Sequence, residues 1–325
     1  MRPFNINIIT ANPNDATSFY RAWGVWNQIR KRETKNIGLF EELKFGWNTI
    51  GKYDLLYLHR PSTKEHLESI SIAKKNNVKV WVDYDDDLLN IPVHNRSYDF
   101  YKNSAEIIKL IIEHSDIITV STQGLKDNLG FEKIQVVENF VPYDNFPMNK
   151  AIKTDKFRVL WRGSDTHNVD WYKHKDSFLQ FAKSHDIQFV SIGDMPYEIY
   201  QEIASVCDAR VETGKRLIDY LLWLRTNVAD LIFVPLEDNL FNRAKSAIAC
   251  EEGIIGGMLS VNPSWNFDTK FSYTDNVLEQ LEKAYAMWDT NYDAYSNLVA
   301  VAQRDLLDNY RKRYNKRLQI LNKII

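Results

Sequence analysis

Short runs of apolar, β-branched residues alternate along the chain with longer segments in which apolar positions recur every three to four residues. This is the pattern of βα units stacked around a parallel sheet. In the first half it predicts strands at 5–9, 37–40, 55–59, 79–83, 117–121 and 134–138, and helices over 18–32, 64–76, 99–114 and 122–128. The segment VPYDNFPMNKAIKTDK at 141–156 breaks the pattern with two prolines and scattered lysines, and reads as a linker. A second series follows, with strands at 158–161, 188–192, 231–234 and 258–261 and helices over 171–184, 195–204, 217–226 and 243–255. From residue 277 only helical periodicity remains. The expected class is α/β with two Rossmann-like domains, 1–147 and 148–276, and a helical extension at 277–325.

Length and composition narrow the partners more than the fold. A chain of 325 residues accommodates two domains, and 44% hydrophobic with 26% charged residues is ordinary for a globular protein. The net charge of -2 gives no global field for nucleic acid or anionic lipid, so such a partner has to meet a local patch. Cys207 and Cys250 form no CxxC, which fits a reduced, cytoplasmic setting. The opening apolar run is too short for a signal-peptide core, and no stretch approaches the roughly 18 residues of a membrane span. The aromatic content of 13% is expected to fill the core.

Neither GxGxxG nor GxxxxGK[ST] occurs, which removes the commonest dinucleotide and P-loop chemistries. Three segments concentrate polar groups at strand ends. In LIFVPLEDNLFNRAKSAIACEEGIIGGM, 231–258, a helix expected to start near Asn242 has Arg243, Lys245 and Ser246 in its first turn, an arrangement suited to a diphosphate. Glu252, seven residues past Lys245, would share its face and could hold ribose hydroxyls. In VLWRGSDTHNVDW, 159–171, a strand runs into Arg162, Gly163 and Ser164, where backbone amides and a guanidinium can meet phosphate, with His167 and Asp170 at the same mouth. In VWVDYDDDLLNIPVHN, 80–95, Asp83, Asp85, Asp86 and Asp87 crowd a strand end and call for a cation, a proton or hydroxyl partners. Weaker candidates are Asn12, Ser18 and Arg21 after the first strand, His59 and Arg60 after the third, and Gly193 in SIGD, where a nucleotide base can approach backbone.

The 231–258 segment resembles the donor-binding region of group 1 glycosyltransferases of the GT-B type, which carry Glu-x7-Glu before a Gly-rich turn. Glu252 stands where the second Glu belongs, ahead of Gly256 and Gly257, whereas position 244 is Ala where the first would be. Phe241 to Ser246, F-N-x-x-K-S, is similar to a divergent phage and bacterial branch that also has an Asp-rich D-x-D-D-D-L motif. The resemblance implies an acceptor-binding first domain and a donor-binding second domain. It further implies a nucleoside diphosphate sugar donor, UDP-sugar foremost, with no required cofactor or metal and retention of anomeric configuration. Asp85 or Asp86 would align the acceptor hydroxyl or take its proton, while Arg162 and Lys245 neutralise the leaving diphosphate. Gly163, Ser164, Gly193, Asn242, Ser246 and Glu252 would hold the donor, and Ser18, Arg21, His59 and Arg60 would line the acceptor side. The acceptor is expected to be a glycan or, for a phage enzyme in the host cytoplasm, a hydroxymethylated DNA base, with the basic stretches 30–32 and 311–317 able to track phosphates.

Two rival readings remain at this level. VWVDYDDDL also resembles the first motif of magnesium-dependent haloacid-dehalogenase-like phosphatases, with Asp83 as nucleophile, Asp85 as acid, and 118–122 and SIGD as supporting motifs. The Ala at position 244 points instead to a sugar-nucleotide-binding module without catalysis.

Overall fold

The computed structural model describes residues 2–10, 12, 15–33, 36–41, 52–139, 141 and 148–325. The chain forms two compact units: Met1–Pro142 with Arg243–Ser246 and Tyr310–Ile325, and Tyr143–Asn242 with Ala247–Asn309. Residues 142–147 of the expected linker lie outside the described residues.

The first unit is a six-stranded parallel sheet in the order β2-β1-β3-β4-β5-β6. Its strands are β1 (Phe4–Thr10), β2 (Ile37–Phe40), β3 (Leu55–His59), β4 (Lys79–Tyr84), β5 (Ile117–Val120) and β6 (Gln135–Val136), the last shorter than its apolar run predicts. Its helices are α1 (Ala16–Ser18), α2 (Gly24–Arg32), α3 (Lys64–Lys75), α4 (Tyr98–His114) and α5 (Gln123–Leu129), with a π-helical turn at Phe19–Trp23 joining the first two. The sheet is buried on both faces, so β3 reads as a continuous buried run. Trp26, Tyr57 and Trp81 meet edge to face at centroid separations of 5.3, 5.4 and 5.7 Å, the geometry that ring quadrupoles favour. Because β2 and β3 lie on opposite sides of β1, the connections reverse between β1 and β3, and a crevice opens at the carboxyl ends of such strands. Parallel register aligns Thr10 with His59 and His59 with Asp83 at that edge.

The second unit is a five-stranded parallel sheet in the order β11-β10-β7-β8-β9. It comprises β7 (Phe157–Gly163), α6 (Asn168–Ser184), β8 (Ile187–Gly193), α7 (Tyr197–Ala204), β9 (Asp208–Glu212), α8 (Leu217–Thr226), β10 (Leu231–Phe233), α9 (Leu240–Arg243), α10 (Ile248–Ile255), β11 (Leu259–Val261) and α11 (Val277–Thr290). α12 (Tyr292–Asn322) begins in this unit, and its residues from Tyr310 belong to the first. Trp171 of α6 sits edge-on to Trp161, Phe178, Phe189 and Phe233 at 5.5–5.8 Å and centres the core. α11 is tied to the sheet by Asp230, which accepts from Trp288 Nε1 at 2.7 Å, from the Arg158 amide at 2.9 Å and from the Thr154 hydroxyl. Here the connections reverse between β7 and β10.

Two sequence expectations need correction. The edge strand β9 was not expected, because Asp208, Arg210 and Glu212 leave DARVE mostly charged and only partly buried, so it lacks the apolar run of the inner strands. The single helix expected over 243–255 is broken: α9 ends at Arg243, residues 244–247 are non-helical, and α10 starts at Ile248. Tertiary hydrogen bonds account for the break. The Ala244 carbonyl accepts from Thr122 Oγ1 at 2.7 Å, and the Ser246 hydroxyl accepts from Asn139 Nδ2 at 2.8 Å. Gly124 lets the strap approach: a Cβ there would lie 2.8 Å from the Arg243 carbonyl.

Candidate functional site

The carboxyl edge of the first sheet gathers most of the acidic and basic candidates, but in unequal roles. Asp83, on β4, is fully buried and takes a two-pronged guanidinium from Arg21, Nε to Oδ2 at 2.7 Å and Nη2 to Oδ1 at 2.5 Å, plus the Thr119 hydroxyl. Arg21 also donates to the Val137 carbonyl at 2.5 Å and to Asn139 Oδ1 at 2.9 Å. Arg317 of α12, equally buried, lies 4.0 Å from Asp83. Arg21 is therefore an interior ion-pair partner, which corrects its placement as an acceptor-side residue. Ser18 is corrected likewise: it is buried, its hydroxyl donating to the Asn12 carbonyl at 2.5 Å and its amide to Asp15 at 2.7 Å. The phosphatase alternative loses its nucleophile, since a carboxylate engaged on both oxygens inside the core cannot reach a phosphate. Among the described residues no three His, Cys, Asp or Glu side chains are placed to hold a metal ion.

Asp85 and Asp86 continue β4 into the loop. Asp85 is 5% exposed, accepts from Arg60 Nε at 2.5 Å and Nη2 at 2.9 Å, and lies 3.0 Å from His59 Nε2. Burial alone would raise its pKa, but Arg60 and His59 outweigh that and hold the carboxyl well below the usual range. It is a poor base and an effective anchor. Asp86 is the accessible member, its side chain 27% exposed, with Oδ2 2.5 Å from Arg60 Nη2 and Oδ1 4.0 Å from Lys245 Nζ. Arg60 holds this fork from a left-handed backbone, φ 53°, an unfavourable conformation for a residue with a Cβ and one that the double carboxylate grip sustains. Asp87 closes the loop by accepting from Asn90 and Asn128. Two buried polar atoms at this edge, Thr10 Oγ1 and His59 Nδ1, have no hydrogen-bond partner among the described residues.

Folded-state depression of the Asp83 and Asp85 pKa values makes the first unit acid-labile. For Asp83 too, burial raises the pKa and Arg21 more than reverses it. The stability these groups contribute is present above the ordinary carboxyl pKa of about 4 and is lost as pH falls below it. Asp87, and Asp230 in the second unit, have pKa values raised by burial and act with the opposite sign. Hydrogen exchange corrected for intrinsic rates should show protection of β3 and β4 falling between about pH 6 and pH 3, with β7 and β10 less affected. Equal losses in both sheets would contradict this.

In the second unit the reversal point between β7 and β10 is framed by Arg162 and Glu252. Arg162 Nε and Nη2 reach Glu252 Oε2 at 2.8 and 2.7 Å, with Glu252 nearly fully buried and Arg162 one-quarter exposed. Burial, and then Glu252, pushes the neighbouring Tyr220 phenol well above its ordinary pKa. Sequence spacing placed Glu252 on one helix face with Lys245; the broken helix separates them, and Glu252 faces Arg162 instead. Gly193 has φ +100°, and a Cβ there would stand 2.0 Å from the Gly163 carbonyl, so the tips of β7 and β8 meet backbone to backbone. Ser164 shares a hydrogen bond with Thr166 at 2.8 Å. Asn242 is interior, donating to Asp170 Oδ1 at 2.8 Å and the Glu237 carbonyl at 2.9 Å, while His167 Nδ1 lies 2.8 Å from Asp170 Oδ2. Asp170 and Asn242 are thus buried and brace the loops with His167, where the sequence pattern puts Asn242 on the donor and His167 and Asp170 at the mouth beside Arg162.

Asn139 and Tyr220 carry no local sequence signal, while Thr119 and Arg317 fall in stretches singled out for other roles; Arg317, placed among the phosphate-tracking residues 311–317, is instead buried 4.0 Å from Asp83. Each acts through partners on other elements, which spacing cannot show.

No family model matches the chain, and no curated protein sequence does. Solved structures match over almost the whole length. An alpha-glucosyltransferase in complex with UDP-glucose and DNA containing an abasic site is 11% identical, with a TM-score of 0.67, over 99% of this chain and 100% of that one. HepE from Anabaena, in complex with UDP and glucose, is 12% identical at TM-score 0.64 over 99% and 100%. The lipopolysaccharide outer core galactosyltransferase WaaB is 10% identical at TM-score 0.61 over 97% and 100%. With a parallel sheet in each of two units and a helical C-terminus, the chain has the GT-B fold that these glycosyltransferases share.

Proposed function

We propose that the protein is a glycosyltransferase that moves a sugar from a UDP-sugar to an acceptor hydroxyl. The observation carrying this is the Arg162–Glu252 pair at the reversal point of the second sheet, beside the close backbone approach of β7 and β8 that only glycine permits at 193. Ribose hydroxyls can donate to Glu252 while Arg162 keeps donors for the diphosphate, so one pair reads both parts of a nucleotide. Gly163, Ser164 and Gly193 offer backbone and hydroxyl groups there, and Asn242 holds the neighbouring loop through Asp170. Lys245 neutralises negative charge that gathers on the leaving group, and Ser246 positions it through Asn139.

On the first unit Asp86 is the acceptor-aligning carboxylate. It is the partly exposed one, and Arg60 at 2.5 Å and Lys245 at 4.0 Å flank its two oxygens. Asp85 positions Arg60 without touching substrate, and the unpartnered Thr10 Oγ1 and His59 Nδ1 are polar atoms that a bound hydroxyl would satisfy. The proposal carries retention of configuration, which product anomer coupling constants check, and a hydroxymethylated DNA base or a glycan as acceptor.

Arg162→Ala and Lys245→Ala should each lower turnover of UDP-glucose at least about tenfold, because each removes a charge matched to the leaving diphosphate; Lys245→Ala should leave the melting temperature unchanged, whereas Arg162→Ala, which strands the buried Glu252 carboxylate, should also lower it. Calorimetry with UDP should show weaker binding in both. Wild-type turnover in either variant would sink the donor-site assignment, and tight UDP binding without any hydrolysis or transfer by the wild type would favour the non-catalytic module.

A further inference from the structure

We infer that the first unit carries a docking surface for the phosphodiester backbone of a nucleic acid, built from the end of α2 and the last part of α12. The two stretches are almost 280 positions apart, yet they pack together: Arg32 lies over the Tyr314 ring at 5.6 Å, and the Tyr314 hydroxyl donates to Glu33 at 2.7 Å. Residues 24–32 hold three basic side chains and no acid, and residues 310–325 hold six and no acid. Arg30, Lys31, Arg32, Arg311, Lys312 and Lys316 are all exposed. The local field is therefore positive although the whole chain is at -2.

Nearby acids offset it only in part: Glu33, which accepts from Tyr314, Glu138, 4.0 Å from Arg313, and Asp308, one turn before the basic run, stand against Arg30, Lys31, Arg32, Arg311, Lys312, Arg313 and Lys316. An anionic bilayer is a poorer fit than a phosphate polymer. A helix that lies on a membrane inserts its apolar face, but here Tyr310, Tyr314, Ile320 and Leu321 of that face are buried within the unit. The surface also connects with the acceptor side. Arg313 Nη1 donates to the Asn139 carbonyl at 2.6 Å, and Asn139 Nδ2 donates to Ser246, next to Lys245 and Asp86. A strand held on the basic face would run beside the residues proposed to align an acceptor hydroxyl. Nucleic acid as the acceptor polymer rests on the transferase reading; the binding surface itself does not.

The test is fluorescence anisotropy with a labelled DNA duplex of about 30 base pairs, across a salt series, on the wild type and on the variant combining Arg30→Ala, Lys31→Ala, Lys312→Ala and Lys316→Ala. These are exposed helical positions where alanine keeps the fold. The wild type should bind with a steep salt dependence. The variant should bind at least tenfold more weakly at low salt, with a log–log slope shallower by up to about 3.6, while hydrolysing UDP-glucose at the wild-type rate. Equal binding by both, no binding by either, or preference for anionic phosphatidylserine vesicles over DNA would overturn the surface. Salt-dependent DNA binding in a protein that turns over no UDP-sugar would leave the surface standing and remove the transferase reading.

Discussion

Asp83→Asn should destabilise the first unit by about 3–5 kcal/mol, the cost of removing one partner of a buried ion pair. The side chain keeps its shape but loses its charge, leaving the guanidiniums of Arg21 and Arg317 fully buried without their nearest carboxylate. Arg317 Nε and Nη2 already lack hydrogen-bond partners among the described residues, so this part of the core is short of acceptors before the mutation. Arg21→Met should cost less, because Arg317 remains 4.0 Å from Asp83 to compensate it. The ordering of the two variants, read from urea unfolding of the first unit, separates a charge-balance role from simple packing. A larger loss in Arg21→Met would reject the account.

Asp86→Asn should reduce kcat by about 100-fold or more while UDP affinity changes little, the range expected when a positioned carboxylate is removed from the reacting hydroxyl. The carboxylate is partly exposed, and Arg60 keeps its two bonds to Asp85, so the loop and the melting temperature should survive the change. Asp85→Asn is the contrasting variant: it loosens Arg60 and His59 together and should lower stability along with activity. Initial rates with UDP-glucose and thermal melts on both proteins distinguish the roles. Full activity in Asp86→Asn would move the acceptor-aligning role elsewhere.

The alternation of apolar runs made the two parallel sheets legible, because a strand buried on both faces must be apolar throughout and its crossover helix must show a period near 3.6. Strand β9 escaped because an edge strand is held by backbone pairing with β8, which needs no apolar run. The break between α9 and α10 escaped for a related reason. Residues 243–255 have helical composition, and the donor groups of Thr122 and Asn139, over a hundred positions away, draw the chain out of the helix.

The sequence by itself determined which strand ends carry charge: Arg162 after one, Asp83 to Asp87 after another, His59 and Arg60 after a third. It could do so because polar residues that close an apolar run must lie at the sheet's edge. The tertiary structure alone decided which of those charges are spent. Arg21 neutralises Asp83, Arg60 and His59 pin Asp85, and Glu252 takes Arg162 rather than sharing a face with Lys245. Pairing depends on distances of a few ångströms between elements remote in the chain, and in a low-dielectric interior those distances fix which group is anchored and which stays available to a substrate.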